Sequence, residues 1–218
     1  MSRVEHIGRA TLYLGDCRDI LPTLGQFDTI CSDPPYGMAF QSNHRKEKWR
    51  AIANDKTDDL LLWACGLQPL HSSYIFCRWD NLSAVPKPRS TVVWVKDNHS
   101  MGDLEHEHGR QYEVALFYPG ERHDFPGKRP TDVIRCPRTN NDNHPTEKPV
   151  QLMRAVLEWT RGSVCDPFMG SGSTGVAAAQ LDRPFVGIEH DPVHFETACR
   201  RIHEAQMQSD LFIQAASA

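Results

Sequence analysis

The sequence predicts an α/β protein built on a mostly parallel, twisted sheet with helices on both faces, and three observations carry that prediction. Short β-like runs alternate with helical or turn-rich stretches along the chain. Polar or special residues follow nearly every run, at the carboxyl ends where an open α/β sheet keeps its ligands. One run then passes through three closely spaced glycines straight into an Ala-rich helical stretch, DPFMGSGSTGVAAAQL.

The strand candidates are, in order, ATLYLGD ending at Asp16, FDTICSD at Asp33, SYIFCRW at Trp79, STVVWVK at Lys96, EVALFYP at Pro119, SVCDPF at Phe168 and PFVGIE at Glu189. Helices are expected from about Asp58 to Leu67, from near Thr146, over TGVAAAQL and after Pro192. The one opening near Thr146 puts Val150, Met153 and Leu157 on one face, as a helix lying on a sheet requires, and Pro149 is tolerated in its first turn. Between Gly120 and Asn143 the texture becomes rich in Pro, Arg, Asn and Asp. That segment reads as an irregular insertion within a single domain spanning residues 1–218.

Composition sets further bounds. Of 218 residues, 39% are hydrophobic, enough for a substantial core, and no apolar run approaches the roughly 20 residues of a membrane helix. The N-terminus lacks the apolar segment of a signal peptide, so a cytoplasmic location is expected. The seven cysteines include no C-x-x-C spacing and read as buried free thiols. A net charge of -4 argues on average against a nucleic-acid partner.

The glycine segment, Asp166 to Gly175, brings a ligand close to bare backbone at a helix N-terminus. It lacks the lysine of a phosphate-binding P-loop. Gly170, Gly172 and Gly175 do match a dinucleotide fingerprint, so the pattern alone leaves that reading open. Asp166, just before the glycines, would repel a pyrophosphate but neutralise a cation, and Glu189 ends the next strand, where an acid takes the two hydroxyls of a ribose. A ligand with a ribose, a positive charge and no phosphate is S-adenosylmethionine.

The second informative segment is Asp33-Pro34-Pro35-Tyr36. The lone pair of an exocyclic amine is delocalised into its aromatic ring, and accepting hydrogen bonds from both N–H groups pushes density back onto nitrogen. Asp33 supplies a carboxylate and Pro34 a carbonyl on a turn stiffened by two prolines, while Tyr36 can stack on a flat base.

YLGDC, DPPYG, HPTEKP (144–149), DPFMGSGST and GIEHD follow one another in this order. The chain thereby resembles the beta-class S-adenosylmethionine-dependent DNA amino-methyltransferases, over most of its length. The resemblance implies a Rossmann-like methyltransferase fold. It implies that Asp16 and Cys17 approach the cofactor adenine and that Thr146 and Lys148 hold its methionine end. Phe168, Gly170, Ser171, Gly172 and Thr174 would line the cofactor loop, Glu189 would bind the ribose, and Asp33, Pro34, Pro35 and Tyr36 would orient the target amine. DPPY most often accompanies N6-adenine methylation in that family; cytosine N4, a non-DNA amine and a non-catalytic DNA-binding regulator are the alternatives.

Double-stranded DNA is the expected partner, with the target base extruded from the duplex. Local charge offsets the average: Arg45, Lys46, Lys48 and Arg50 follow the DPPY turn, and Arg122, Lys128, Arg129, Arg135 and Arg138 lie in the insertion. These basic groups are expected at the active-site rim, as phosphate contacts. His106 and His108 have no third ligand at metal-binding spacing, so no metal is expected. Larger family members carry a substantial target-recognition region before HPTEKP. Here residues 120–143 must serve, so recognition is short and loose or is completed by a second copy in a homodimer.

Overall fold

The computed structural model describes residues 3–35, 57–97, 105–106, 108–139 and 147–216, and the side chains of these up to residue 208. Among the described residues the strands are β1 (Arg3–Ile7), β2 (Ala10–Leu14), β3 (Thr29–Ser32), β4 (Ser72–Cys77), β5 (Ser90–Val95), β6 (Tyr112–Pro119), β7 (Val133–Arg135), β8 (Val164–Asp166) and β9 (Phe185–Glu189). They form one sheet in the order β1-β2-β9-β8-β3-β4-β6-β5-β7. Strands β2, β9, β8, β3 and β4 are mutually parallel, so their carboxyl ends lie along one edge. β6 runs against β4 and β5, which makes it start at the edge where its neighbours finish.

The helices are α1 (Cys17–Ile20), α2 (Asp59–Cys65), α3 (Val150–Leu157), α4 (Ser173–Gln180) and α5 (Pro192–Ala216). The period-2 alternation of the strands divides the core between them. Cys31, Tyr74 and Phe76 face the cluster built by Leu152 and Met153 of α3, Ala177 of α4 and Phe195, Ala198 and Ile202 of α5. Ile30, Ile75 and Cys77 face the opposite cluster, with Leu61, Ala64 and Cys65 of α2. β3 and β4 are therefore buried at every position, as parallel strands covered on both faces must be.

All seven strand candidates and the four expected helices are present. Two strands go beyond the expectation. β1 is a polar edge strand paired antiparallel to β2. β7 lies within the stretch expected to be irregular and pairs parallel to β5. α3 opens at Val150, with extended backbone at Pro149 (φ -61, ψ 136), rather than near Thr146. The preference of Lys148, the residue preceding Pro149, for extended backbone keeps the helix from starting ahead of that proline. All seven cysteines are free, and six are buried. Among the described residues no helix is long and apolar enough to cross a membrane.

The switch point of the sheet falls between β8 and β3, since the chain moves outward in one direction from β8 to β9 and in the other from β3 to β4. There the glycine loop follows β8 and the DPPY turn follows β3. Gly172 has φ +87, and a Cβ there would sit 2.9 Å from Ala198 Cβ. Gly172→Ala should destabilise the fold by about 1–3 kcal/mol, from left-handed backbone and overpacking together, read as a lower urea midpoint at unchanged slope.

Candidate functional site

Asp166, at the end of β8, is buried and takes three hydrogen bonds from its own chain. Ser32 Oγ donates to Oδ1 at 2.5 Å, Phe168 N donates to the same oxygen at 3.1 Å, and Thr174 Oγ1 donates to Oδ2 at 2.6 Å. This carboxylate ties the end of β3 to the glycine loop and to the first turn of α4. Burial pushes its pKa up, and the three donors oppose that shift. Asp166, expected at the cationic end of a ligand, thus spends its hydrogen-bonding capacity on shaping the loop and can act on a ligand chiefly through its charge.

The loop itself turns through Gly170 (φ +54) and Gly172 (φ +87), conformations that cost glycine little. Glu189, at the end of β9, accepts from Gly170 N at 2.8 Å and from Asp191 N at 2.7 Å. The backbone of His190 also acts on this carboxylate as a hydrogen-bond donor, and the group is held at the strand end by the glycine loop. Ser171 accepts from Arg201 of α5 through both its carbonyl and its Oγ, at 2.7 and 2.8 Å. Arg201 also pairs with Glu147 at 2.7 Å, with only 4% of the Glu147 side chain exposed. Phe168 is half-buried and meets Trp63 edge-on. The hydroxyl oxygen of Ser173 is buried with no hydrogen-bond partner among the described residues.

Asp16 follows β2 beside Glu189, because Gly15 N donates to the Glu189 carbonyl at 2.8 Å. Its side chain caps α1 by accepting from Arg18 N and pairs with the Arg18 guanidinium. Cys17 is buried, and burial pushes its thiol up to about 12, an inert neutral group.

Across the switch point, Asp33 is largely buried. Lys148 Nζ donates to its Oδ2 at 2.5 Å, while Oδ1 is buried with no hydrogen-bond partner among the described residues. The same ammonium lies 3.1 Å from Glu113 Oε2, and Lys96 pairs with Glu113 Oε1. Four charges of alternating sign thus line the carboxyl edge, from β3 through the segment before α3 to β6 and β5. Lys148, expected at the methionine end of a cofactor, contacts the two carboxylates of Asp33 and Glu113. Burial pushes Asp33 up to about 6; Lys148 opposes the shift and Glu113 adds to it. Burial works to raise Glu113 as well, but the charges of Lys148 and Lys96 outweigh it and hold that carboxyl at about 2. Pro34 is buried and Pro35 half-buried. Tyr36 and Thr146 lie outside the described residues, as does the basic stretch 45–50.

Glu113, Lys96, Ser32 and Arg201 were not singled out from sequence. Glu113 and Lys96 carry a signal that finds them: each is a charge at the boundary of an apolar strand, the pattern that pointed to Asp16 and Glu189. Ser32 and Arg201 act across long sequence separations and carry no local signal. The basic residues of the insertion divide. β6 ends at the amino edge, where Arg122 N donates to the Leu70 carbonyl, so Arg122 sits away from the DPPY turn rather than at its rim. Arg135 pairs opposite Val95 at the carboxyl edge, and the charge of Arg138 is felt at Lys96.

A parallel α/β sheet with a glycine loop and an acid-bearing turn on either side of its switch point defines a Rossmann-like methyltransferase. The family model for N6 and N4 DNA methylases matches residues 121–200. The Escherichia coli (strain K12) protein named "Putative methylase YubD" is 33% identical over 197 residues, covering 80% of this chain and 82% of that protein. The Moraxella bovis type II methyltransferase M2.MboI is 39% identical over 159 residues, 69% of this chain, which spans about half of that longer protein (51%). The crystal structure of the M1.HpyAVI–SAM complex matches the fold with a TM-score of 0.67 at 24% identity, over 88% of this chain and 99% of that one. The chain belongs to the N6/N4 DNA methylase family.

Replacing Arg201 by Ala removes the cation facing buried Glu147 and both donors to Ser171. A loss of roughly 3 kcal/mol is expected, measured by thermal or denaturant unfolding, together with weaker cofactor binding by calorimetry.

Proposed function

We propose that this protein transfers a methyl group from S-adenosylmethionine to the exocyclic N6 of an adenine flipped out of double-stranded DNA. The observation that carries the reading is the state of Asp33: one carboxylate oxygen is held by Lys148, and the other is buried with no hydrogen-bond partner among the described residues, one residue before the Pro34 carbonyl in sequence. Two acceptors on one turn suit an amine with two N–H groups.

The site residues fit the cofactor. Glu189 would take the ribose hydroxyls at the end of β9, Asp16 and Cys17 flank the same strand end, and Phe168, Gly170, Ser171, Gly172 and Thr174 form the loop and first turn at the N-terminus of α4. The Ser173 hydroxyl, without a partner among the described residues, gives that end a further polar group. When bound, S-adenosylmethionine supplies an electrophilic methyl on a sulfonium centre.

Asp33 Oδ1 and the Pro34 carbonyl accept the two amine hydrogens and concentrate the lone pair on nitrogen. Pro35 limits movement of the turn, and Tyr36 stacks on the base, offsetting part of the few kcal/mol that flipping costs. Glu189 and the glycine loop would hold the cofactor while its methyl group passes to the nitrogen and the C–S bonding pair stays on sulfur as a neutral thioether. Asp33, already hydrogen-bonded to the amine, is positioned to take the proton that nitrogen releases. Positioning carries most of the catalysis, and no cysteine takes part.

Incubation with tritiated cofactor and mixed-sequence DNA, followed by nucleoside chromatography, should yield N6-methyladenine; N4-methylcytosine would favour the cytosine alternative, and no labelled nucleoside would overturn the reading. Asp33→Ala should cut transfer at least about 100-fold while leaving calorimetric cofactor binding intact. Because Asp33 must be ionised to accept from the amine, kcat/KM should rise as pH rises through about 6 and fall about tenfold per pH unit below that, rather than near the ordinary aspartate value.

A further inference from the structure

The alternating charges Asp33, Lys148, Glu113 and Lys96 exceed what a pair of amine acceptors requires. Lys148 is the hinge of the set, with 6% of its side chain exposed, Asp33 at 2.5 Å and Glu113 at 3.1 Å. Phe76 lies beneath it, its ring centroid 5.6 Å from the ammonium, which limits where that ammonium can go. Glu113 is in turn held from its other side by Lys96, itself 4.8 Å above the Trp94 ring. Because β6 starts at the edge where β4 ends, Glu113 is brought to this point by topology, and an apolar strand has no packing reason to begin with a buried carboxylate.

We propose that Lys148 and Glu113 are positioning residues for methyl transfer: Lys148, shared between two carboxylates, holds Asp33 ionised with one oxygen turned to the amine, and Glu113 limits how tightly it does so. The assignment rests on the amine-methylating reading of the site.

A lysine bound to Asp33 alone would lower the carboxylate's basicity and weaken it as an acceptor for the amine hydrogen. A second carboxylate on the same ammonium restores part of that basicity. The groups acting on Asp33 are Lys148 from the segment before α3, Glu113 from β6 and Asp166 from β8; the Cys31 thiol of β3 and the Cys77 thiol of β4 also face it, and Lys96 after β5 acts through Glu113.

The two residues should therefore move Asp33 in opposite directions. In carbon-13 NMR titration of the Asp33 carboxyl in the full chain, Lys148→Gln should raise the midpoint by about one pH unit or more. Glu113→Gln should lower it, and Lys148→Arg should return it towards wild type. The acid limb of kcat/KM should follow, with KM for S-adenosylmethionine changing less than about twofold.

Midpoints that stay put or move together would overturn the proposal, as would Lys148→Gln raising cofactor KM without moving the limb, the signature of a cofactor ligand. If Lys148→Gln folds poorly, Glu113→Gln decides alone, since it removes a charge while leaving the Lys148–Asp33 pair. A wild-type chain that methylates no DNA would sink the reaction itself; a methylating wild type with unmoved variants sinks only the positioning role.

Discussion

The Asp166 carboxylate is the contact on which the rest of the site depends. Its three donors come from β3, from the loop after β8 and from the first turn of α4, so one buried group sets the separation between the DPPY turn and the glycine loop. A buried carboxylate is costly unless its lone pairs are taken, and that cost makes the arrangement rigid. Losing any of the three donors leaves charge unsatisfied, so the two loops cannot drift apart independently. The electrostatics needed for group transfer thereby come from the strand ends themselves.

The second constraint is topological. Five parallel strands deliver their carboxyl ends to one edge, and Asp16, Glu189, Asp166 and Asp33 follow from that alone. The antiparallel β6 adds what a purely parallel sheet cannot, a residue at the start of a strand on the same edge. Glu113 enters in this way, and with it the alternating charges that fix Lys148. α5 secures the other flank, where Arg201 joins Ser171 of the glycine loop to Glu147, the residue before Lys148. The cofactor side and the amine side are thus coupled twice, once beneath the sheet edge through Asp166 and once over it through Arg201.

The parallel strands and their helices were legible in the sequence because buried strands read as apolar runs and α4, buried along almost its whole length, as an Ala-rich one. β1 and β7 were not legible. RVEHI is mostly exposed and polar, and VIR is three residues long in a Pro- and Arg-rich stretch, so neither shows the period that core packing imposes. Within the site, Asp33, Asp166 and Glu189 were named from local motifs, whereas Ser32 and Arg201, defined by partners far away in sequence, were not. The family resemblance of HPTEKP pointed to Lys148 at the methionine end of the cofactor, and only the fold shows that its ammonium lies against Asp33 and Glu113.

The net charge of -4 is then explained by where the charges lie. Asp33, Asp166 and Glu113 are buried and bonded to donors or ammonium groups, so they contribute little negative field to a surface that DNA would meet. Of the basic residues in 120–143, Arg122 follows β6 to the amino edge, whereas β7 carries the chain back along β5 and delivers Arg135 and Arg138 to the carboxyl edge. The short strand that the sequence concealed is what turns an apparently irregular insertion into a return path. It places cationic side chains beside the charge row that ends at Lys96.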